Sequence, residues 1–318
     1  MRLVFASVLA SGALFSGGAA FARADAGPAI PLVVVRAGAP VAFGLVRGAG
    51  CAEGYEQVVQ TALAAGPFAA LLRNRGIART VVFVPGFATS VRSAYVAARR
   101  IQSDLGRGDR VVLVDWGSAG RKTGYEHDAL TARRNSPMLV PALRALKAIA
   151  PRRQLDVFAH SLGTRLVAMA IPNFAPKDGT VVTNMVMAAP DMTVAAYQRA
   201  ITRKPGPFRH ITLYVSRSDR ALLLSEIVHL HRRLGQITQM TRSLANTDVV
   251  DASAVSRATP DGHGYAINDP LLIHDIGLTL AGTHIPHPYW RARRGTGTSG
   301  WIYEPPPHKE SPPLCAAH

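Results

Sequence analysis

The sequence predicts an α/β domain with a mostly parallel central sheet and helices on both faces. Three observations carry that expectation. From residue 81 onward, short β-branched runs alternate with segments of helical periodicity. Each run is apolar almost without a break, as strands covered on both sides are. The chain, 318 residues with 48% hydrophobic and 18% charged, is long enough for one large core and too apolar for disorder.

Residues 1–24, MRLVFASVLASGALFSGGAAFARA, place one arginine before an apolar run that closes on spaced alanines. This is the layout of a secretory signal peptide cleaved near Ala22 or Ala24. Serines and glycines break the run, so it lacks the roughly 20 apolar residues that hold a helix in a bilayer. The expectation is an exported protein, periplasmic or secreted, that is not an integral membrane protein. Residues 25–283 read as the α/β domain, and 284–318 as an irregular tail rich in Pro, Gly and Arg. Cys51 and Cys315 are the two cysteines; a bridge and two free thiols are both open.

Residues 30–80 hold candidate antiparallel edge strands in VVVRAGAPVAFGLV and an ambiguous stretch, EQVVQTALAAGPFAALL. VVFVPGF (81–87) is a buried strand entering a Pro-Gly turn, and a helix follows from Thr89 or Ser90 to a stop at Gly106. VVLVDW (111–116) is the second strand. The segment after it, GSAGRKTGYEHDALTARRNS, reads as a polar loop leading to a helix over 137–150, with Ser136 at its cap, Pro137 at its first position and Pro141 kinking or delaying it. LDVFAH (155–160), VVTNMVMAAPDM (181–192) and HITLYVSRSD (210–219) are the next strands, and ALLLSEIVHLHRRLG is a helix ending at Gly235.

In this frame Ser161 sits where a strand turns into a helix, between the small residues Ala159 and Gly163. A serine hydroxyl is not ionised at neutral pH, so as a nucleophile it needs a base in hydrogen-bond reach and a carboxylate to orient that base. Asp219, at the end of the strand over 210–219, and His263, in the glycine-rich PDGHGYAI, supply them in the order serine, acid, histidine. Asp191, after the preceding strand, is the alternative acid. Each residue also has a plain reading: Ser161 and Asp219 as helix caps, His160 as a packing residue turned away from the cleft, His229 and His274 as core or surface histidines. The backbone amides of Leu162 and Phe87 are the candidate donors to a developing oxyanion.

VFVPGFATS, VDWGSAG followed by Tyr125 and Asp128, FAHSLGTRL, MAAPDM, LYVSRSDRALLLSE, VVDAS and GHGYAINDPLLIHDI together resemble a bacterial α/β-hydrolase family of unknown function, over residues 78–277. The resemblance implies an α/β-hydrolase fold with Ser161, Asp219 and His263 as its triad. Ala159 stands where the first glycine of the serine turn is usual, and Pro85 where relatives often carry histidine. The expected function is an exported serine hydrolase acting on carboxylic esters through an acyl-enzyme. An acyltransferase, thioesterase or peptidase would use the same residues. Only about 20 residues separate Asp191 from the strand at 210, which predicts an open pocket without a long lid.

The formal charge is +16. Its arginines are dispersed and no nucleic-acid motif accompanies them, so the plain reading is a solvated arginine-rich surface; the alternative is a non-catalytic binder on this scaffold whose partner is anionic lipid or envelope polymer. No cofactor motif and no metal-ligand spacing is visible in the sequence.

Overall fold

The computed structural model describes residues 29–49, 57–106, 108–175, 181–201, 208–236, 247–282, 288–292 and 300–305. The expected signal peptide, Cys51 and Cys315 lie outside these residues. At the N-terminal edge β1 (Ile30–Val34), β2 (Ala42–Ala49) and β3 (Gln57–Leu63) pair antiparallel, and the ambiguous stretch resolves into β3 followed by α1 (Ala65–Leu72). Next come β4 (Arg79–Val84), α2 (Val91–Asp104), β5 (Asp109–Asp115), α3 (Tyr125–Asn135), α4 (Leu139–Ile149), β6 (Gln154–His160) and α5 (Leu162–Ala170). They are followed by β7 (Val182–Ala188), α6 (Val194–Ile201), β8 (Phe208–Val215), α7 (Arg220–His229), β9 (Thr247–Asp251), α8 (Ser253–Ser256), α9 (Tyr265–Asn268), α10 (Pro270–Leu280), β10 (Trp290–Ala292) and β11 (Trp301–Tyr303).

Among the described residues eleven strands join one sheet in the order β10-β11-β9-β8-β7-β6-β4-β5-β1-β2-β3. From β1 to β9 by way of β5, β4, β6, β7 and β8 every neighbouring pair is parallel. Alternation along β4 shows why the apolar runs are unbroken. Val82 and Val84 enter the core under α1 and α3 to α6, while Val81 and Phe83 enter the core under α2 and α8 to α10. Each such side chain contributes about 1.5–3 kcal/mol by leaving water. Among the described residues no helix is long and apolar enough to cross a membrane.

Four expectations about elements need correction. The polar segment after β5 contains α3, whose first turn carries Glu126 and Asp128 and whose last turn carries Arg133 and Arg134, charges matched to the helix dipole. The helix expected over 137–150 is a 3-10 turn at Ser136–Met138, with Pro137 at its second position, followed by α4, so the α-helix is delayed to Leu139; Ser136 is itself helical rather than a cap, and Pro141 falls in the first turn of α4, where no amide bond is lost. α7 stops at His229 because Leu230 turns left-handed, φ 54°, well before Gly235. The C-terminal tail is not wholly irregular. β11 pairs parallel with β9 and β10 antiparallel with β11, which buries Trp290 and Tyr303.

Candidate active site

Ser161 holds φ 53° and ψ −126°, a backbone conformation costing a non-glycine residue about 1–3 kcal/mol. The surroundings impose it. The Ser161 amide donates to the carbonyl of Ala188 on β7 at 3.0 Å, and its carbonyl accepts from the Thr164 amide at 3.0 Å and the Thr164 hydroxyl at 2.6 Å. The serine hydroxyl makes no cap bond to α5 and is left for other work. Gly163 lets α5 close onto the end of β4: a Cβ there would lie 2.4 Å from the Val84 carbonyl oxygen and 2.5 Å from that of Pro85.

The structure brings Ser161, His263 and Asp219 together. His263 Nε2 lies 2.8 Å from Ser161 Oγ, and His263 Nδ1 lies 2.8 Å from Asp219 Oδ2. Asp219 carries two roles at once, since its Oδ1 accepts the Leu222 amide at 2.9 Å and so caps α7. The His263 turn is held by Asp261, whose Oδ1 accepts the amides of His263 and Gly264 at 2.9 and 3.2 Å. Burial disfavours the imidazolium, but the hydrogen bond and charge of Asp219, with Asp191 and Asp261 farther off, outweigh it and hold the His263 pKa above the ordinary histidine value. With Asp219 only 1% exposed, its oxygens facing Nδ1 and the Leu222 amide fix which ring nitrogen carries the proton and leave Nε2 for the serine.

His160 was expected to turn away from the cleft; it does not. It continues the Phe158 face of β6, the face crossed by the His263 loop, and its ring lies 4.9 Å from the His263 ring. Its Nε2 is 3.2 Å from the His263 carbonyl oxygen. Burial, reinforced by the nearby His263 charge, pushes its pKa down to about 3, so His160 is neutral and donates that bond. His274 is exposed on α10 and packs its ring beside Tyr289, 6.4 Å away.

The alternative acid, Asp191, is engaged elsewhere. The Tyr125 hydroxyl donates to its Oδ2 at 2.6 Å, Ser225 to its Oδ1 at 3.0 Å, and Arg233 Nε lies 3.3 Å from Oδ1. Ser161 and His263 open into a cavity of about 700 Å³ whose walls include Phe87, Leu222, Leu224, Val228 and Ile267. Among the described residues no cluster of His, Cys, Asp and Glu could hold a metal ion.

Residues 62–281 match the family model described as an α/β hydrolase of unknown function. The chain belongs to that α/β-hydrolase family. No curated protein matches it in sequence. Among solved structures it is similar to the hyperthermophilic esterase from the archaeon Pyrobaculum calidifontis, at 14% identity over 80% of this chain and 86% of that one, TM-score 0.47. It is also similar to the esterase domain of a Rhodothermus marinus protein, at 10% identity over 80% and 97%, TM-score 0.44. A third likeness is to Aspergillus fumigatus lipase B, at 16% identity over 65% of this chain, TM-score 0.42; the chain spans about half of that lipase, 53%.

The site also draws on residues to which sequence reasoning gave no role. The loop carrying Phe87 lies between β4 and α2, and Asp128 fixes it from α3. Its Oδ2 accepts the Ala88 amide at 3.2 Å and the Ser118 hydroxyl at 2.7 Å, while its Oδ1 accepts the Ala119 amide at 2.8 Å. Ser118 Oγ in turn accepts the Thr89 amide at 2.9 Å, and Trp116 Nε1 donates to the Pro85 carbonyl at 2.8 Å. Ala88 is left-handed at φ 54°, which these bonds enforce. Phe87 packs edge-on against Tyr125 at 5.3 Å and lines the cavity beside Ser161, and Leu162 opens α5 on the other side of the serine. The sequence signal available for Asp128 was its place, with Tyr125, after VDWGSAG among the motifs that carry the family resemblance.

Proposed function

We propose that the protein is an exported serine hydrolase that cleaves carboxylic esters through an acyl-enzyme. One observation carries the reading: an unbroken hydrogen-bonded chain from Ser161 Oγ through His263 to Asp219, opening into a cavity with apolar walls. Ser161 Oγ bonds to the ester carbonyl carbon as its proton passes to His263 Nε2. The amides of Phe87 and Leu162 stabilise the oxyanion so formed. As the carbon–alkoxide bond breaks, His263 returns the proton to the leaving alcohol. Water then adds to the acyl-enzyme with His263 again taking the proton, and the carboxylic acid departs as Ser161 recovers its hydrogen. Asp219, bonded to Nδ1, steadies the imidazolium. The apolar wall favours an acyl group over a charged substrate, and an alkoxide is an easier leaving group than an amine.

The test is a fluorophosphonate probe together with nitrophenyl esters of graded chain length. Wild type is expected to label at Ser161 and to release the acid, and Ser161→Ala to lose labelling and about a million-fold in turnover. Absence of labelling and turnover in wild type, or unchanged turnover in Ser161→Ala, overturns the reading.

A further inference from the structure

Helix α7 forms one wall of the cavity, with Leu222 turned inward at 1% exposure. Its other side is apolar and outward. Leu223 is 50% exposed, Leu224 and Ile227 62%, Val228 64%, and Leu230, just past the helix, 87%. The spacing of residues 223, 224, 227 and 228 puts them in one stripe, opposite Leu222 and Ser225. Single exposed apolar side chains are ordinary, but a contiguous group of this kind marks a contact surface. Of the seven large hydrophobic residues exposed among the described residues, these are five.

The charge around the stripe says what it contacts. Arg217 stands exposed shortly before α7, within 3.9 Å of Asp251, Arg220 is exposed as the first residue of α7, Arg232 is exposed shortly after it, and Lys122 is among the residues lining the cavity. The carboxylates lining the cavity are Glu126, Asp261 and the buried Asp191, which lies beside Arg233, and α7 itself carries Glu226; the chain as a whole carries +16. A partner that offers anionic groups at its surface and hydrocarbon directly beneath fits both features. We infer that the outer face of α7 seats this hydrolase on an anionic lipid bilayer, with Leu223, Ile227 and Leu230 in the acyl layer and the flanking arginines at the headgroups. Leu224 and Val228 belong to both the stripe and the cavity wall, so seating brings the mouth of the cavity to lipid esters. That last step, and only that step, rests on the ester-hydrolase reading.

The experiment is co-sedimentation of the full chain with phosphatidylcholine vesicles, with and without phosphatidylglycerol, at low and high salt. Leu223→Gln combined with Ile227→Gln is the test variant, since neither residue lines the cavity. Wild type and Ser161→Ala are both expected to bind the anionic vesicles, more weakly at high salt, and the double variant to bind at least about tenfold less while keeping its turnover of a soluble nitrophenyl ester. No vesicle binding by wild type, or equal binding by the double variant, overturns the inference. So does a wild-type dimer that the double variant converts to monomer without any vesicle binding, because the stripe would then be covered by a second copy. Vesicle binding without ester turnover would sustain the docking surface and refute the catalytic reading, so the two fail separately.

Discussion

Replacing Asp219 with asparagine separates the two tasks of one carboxylate. Its Oδ1 caps α7 and its Oδ2 accepts the proton of His263 Nδ1. Asparagine caps a helix as well as aspartate does, so the stability of α7 is expected to change by less than about 0.5 kcal/mol, whereas alanine forfeits the cap and costs about 1 kcal/mol. The amide cannot serve both bonds with oxygen. If its oxygen keeps the Leu222 amide, its NH2 faces Nδ1 and favours the tautomer with hydrogen on Nε2, which cannot accept the serine proton. In a serine protease the corresponding change removes about ten-thousand-fold in kcat, or about 5.5 kcal/mol of barrier, and the same order is expected here. The pH profile supplies a second readout. In the proposed mechanism the base is neutral His263, so wild-type kcat/KM is expected to be lost as pH falls through the folded pKa, which lies above the ordinary value of about 6.5. Without the Asp219 charge, burial dominates and the residual activity of Asp219→Asn persists to lower pH. Steady-state turnover of a soluble nitrophenyl ester across pH, with urea melts of all variants, makes the measurement. Wild-type turnover in Asp219→Asn, or a collapse in Asp191→Asn instead, would refute the assignment of the acid.

Three other changes test the scaffold. Gly163→Ala is expected to cost about 1–3 kcal/mol in urea melts and to lower kcat, because its methyl would meet the backbone oxygens of Val84 and Pro85 at 2.4 and 2.5 Å and push Ser161 off its turn; unchanged stability would mean that α5 shifts without resistance. Asp128→Ala frees the Ala88 and Ala119 amides and the Ser118 hydroxyl, and kcat is expected to fall about tenfold to a hundredfold with little change in KM; equal kcat would show that the loop holds without it. Burial drives the Asp275 pKa up to about 7, against the opposing bonds from Tyr214 and Trp290. Its native form therefore retains a proton that the unfolded chain gives up above pH ~4, and stability falls as pH rises through that window to about 7. Asp275→Asn keeps an acceptor for Tyr214 and Trp290, so its melting temperature is expected to match wild type at acid pH and exceed it at pH ~8, by an amount on the order of 2–4 kcal/mol in stability; a constant difference across pH would contradict this.

The middle of the fold was legible because each strand from β4 to β8 is buried on both faces and so carries an apolar run whose meaning does not depend on its neighbours. Ser161, Asp219 and His263 could be read for a related reason: their chain order and their positions after β6, after β8 and beyond β9 are properties of the parallel sheet. α3 was hidden by composition, since its exposed polar face outnumbers its buried Ala129 and Ala132 and the dipole-matched charges at its ends are a weaker sign than periodicity. β10 and β11 have three residues each, too few for alternation to show. The place of His160 depended on which loop crosses its face of β6, a tertiary fact with no local trace. Asp219 defeated a choice between two readings because the residue does both.

Ser161 and Asp219 leave β6 and β8, two strands of one sheet with β7 between them, and His263 comes from the loop beyond β9, whereas Leu224 and Val228 reach the cavity from α7. Asp128 on α3 and Asp219 at the head of α7 tie those two helices to the site, but the side chains of Leu224 and Val228 are apolar and hold none of the three polar residues in place. Exchanging residues 224 and 228 can therefore retune what enters, so descendants of this scaffold can change diet at two positions while Ser161, His263 and Asp219 stand still.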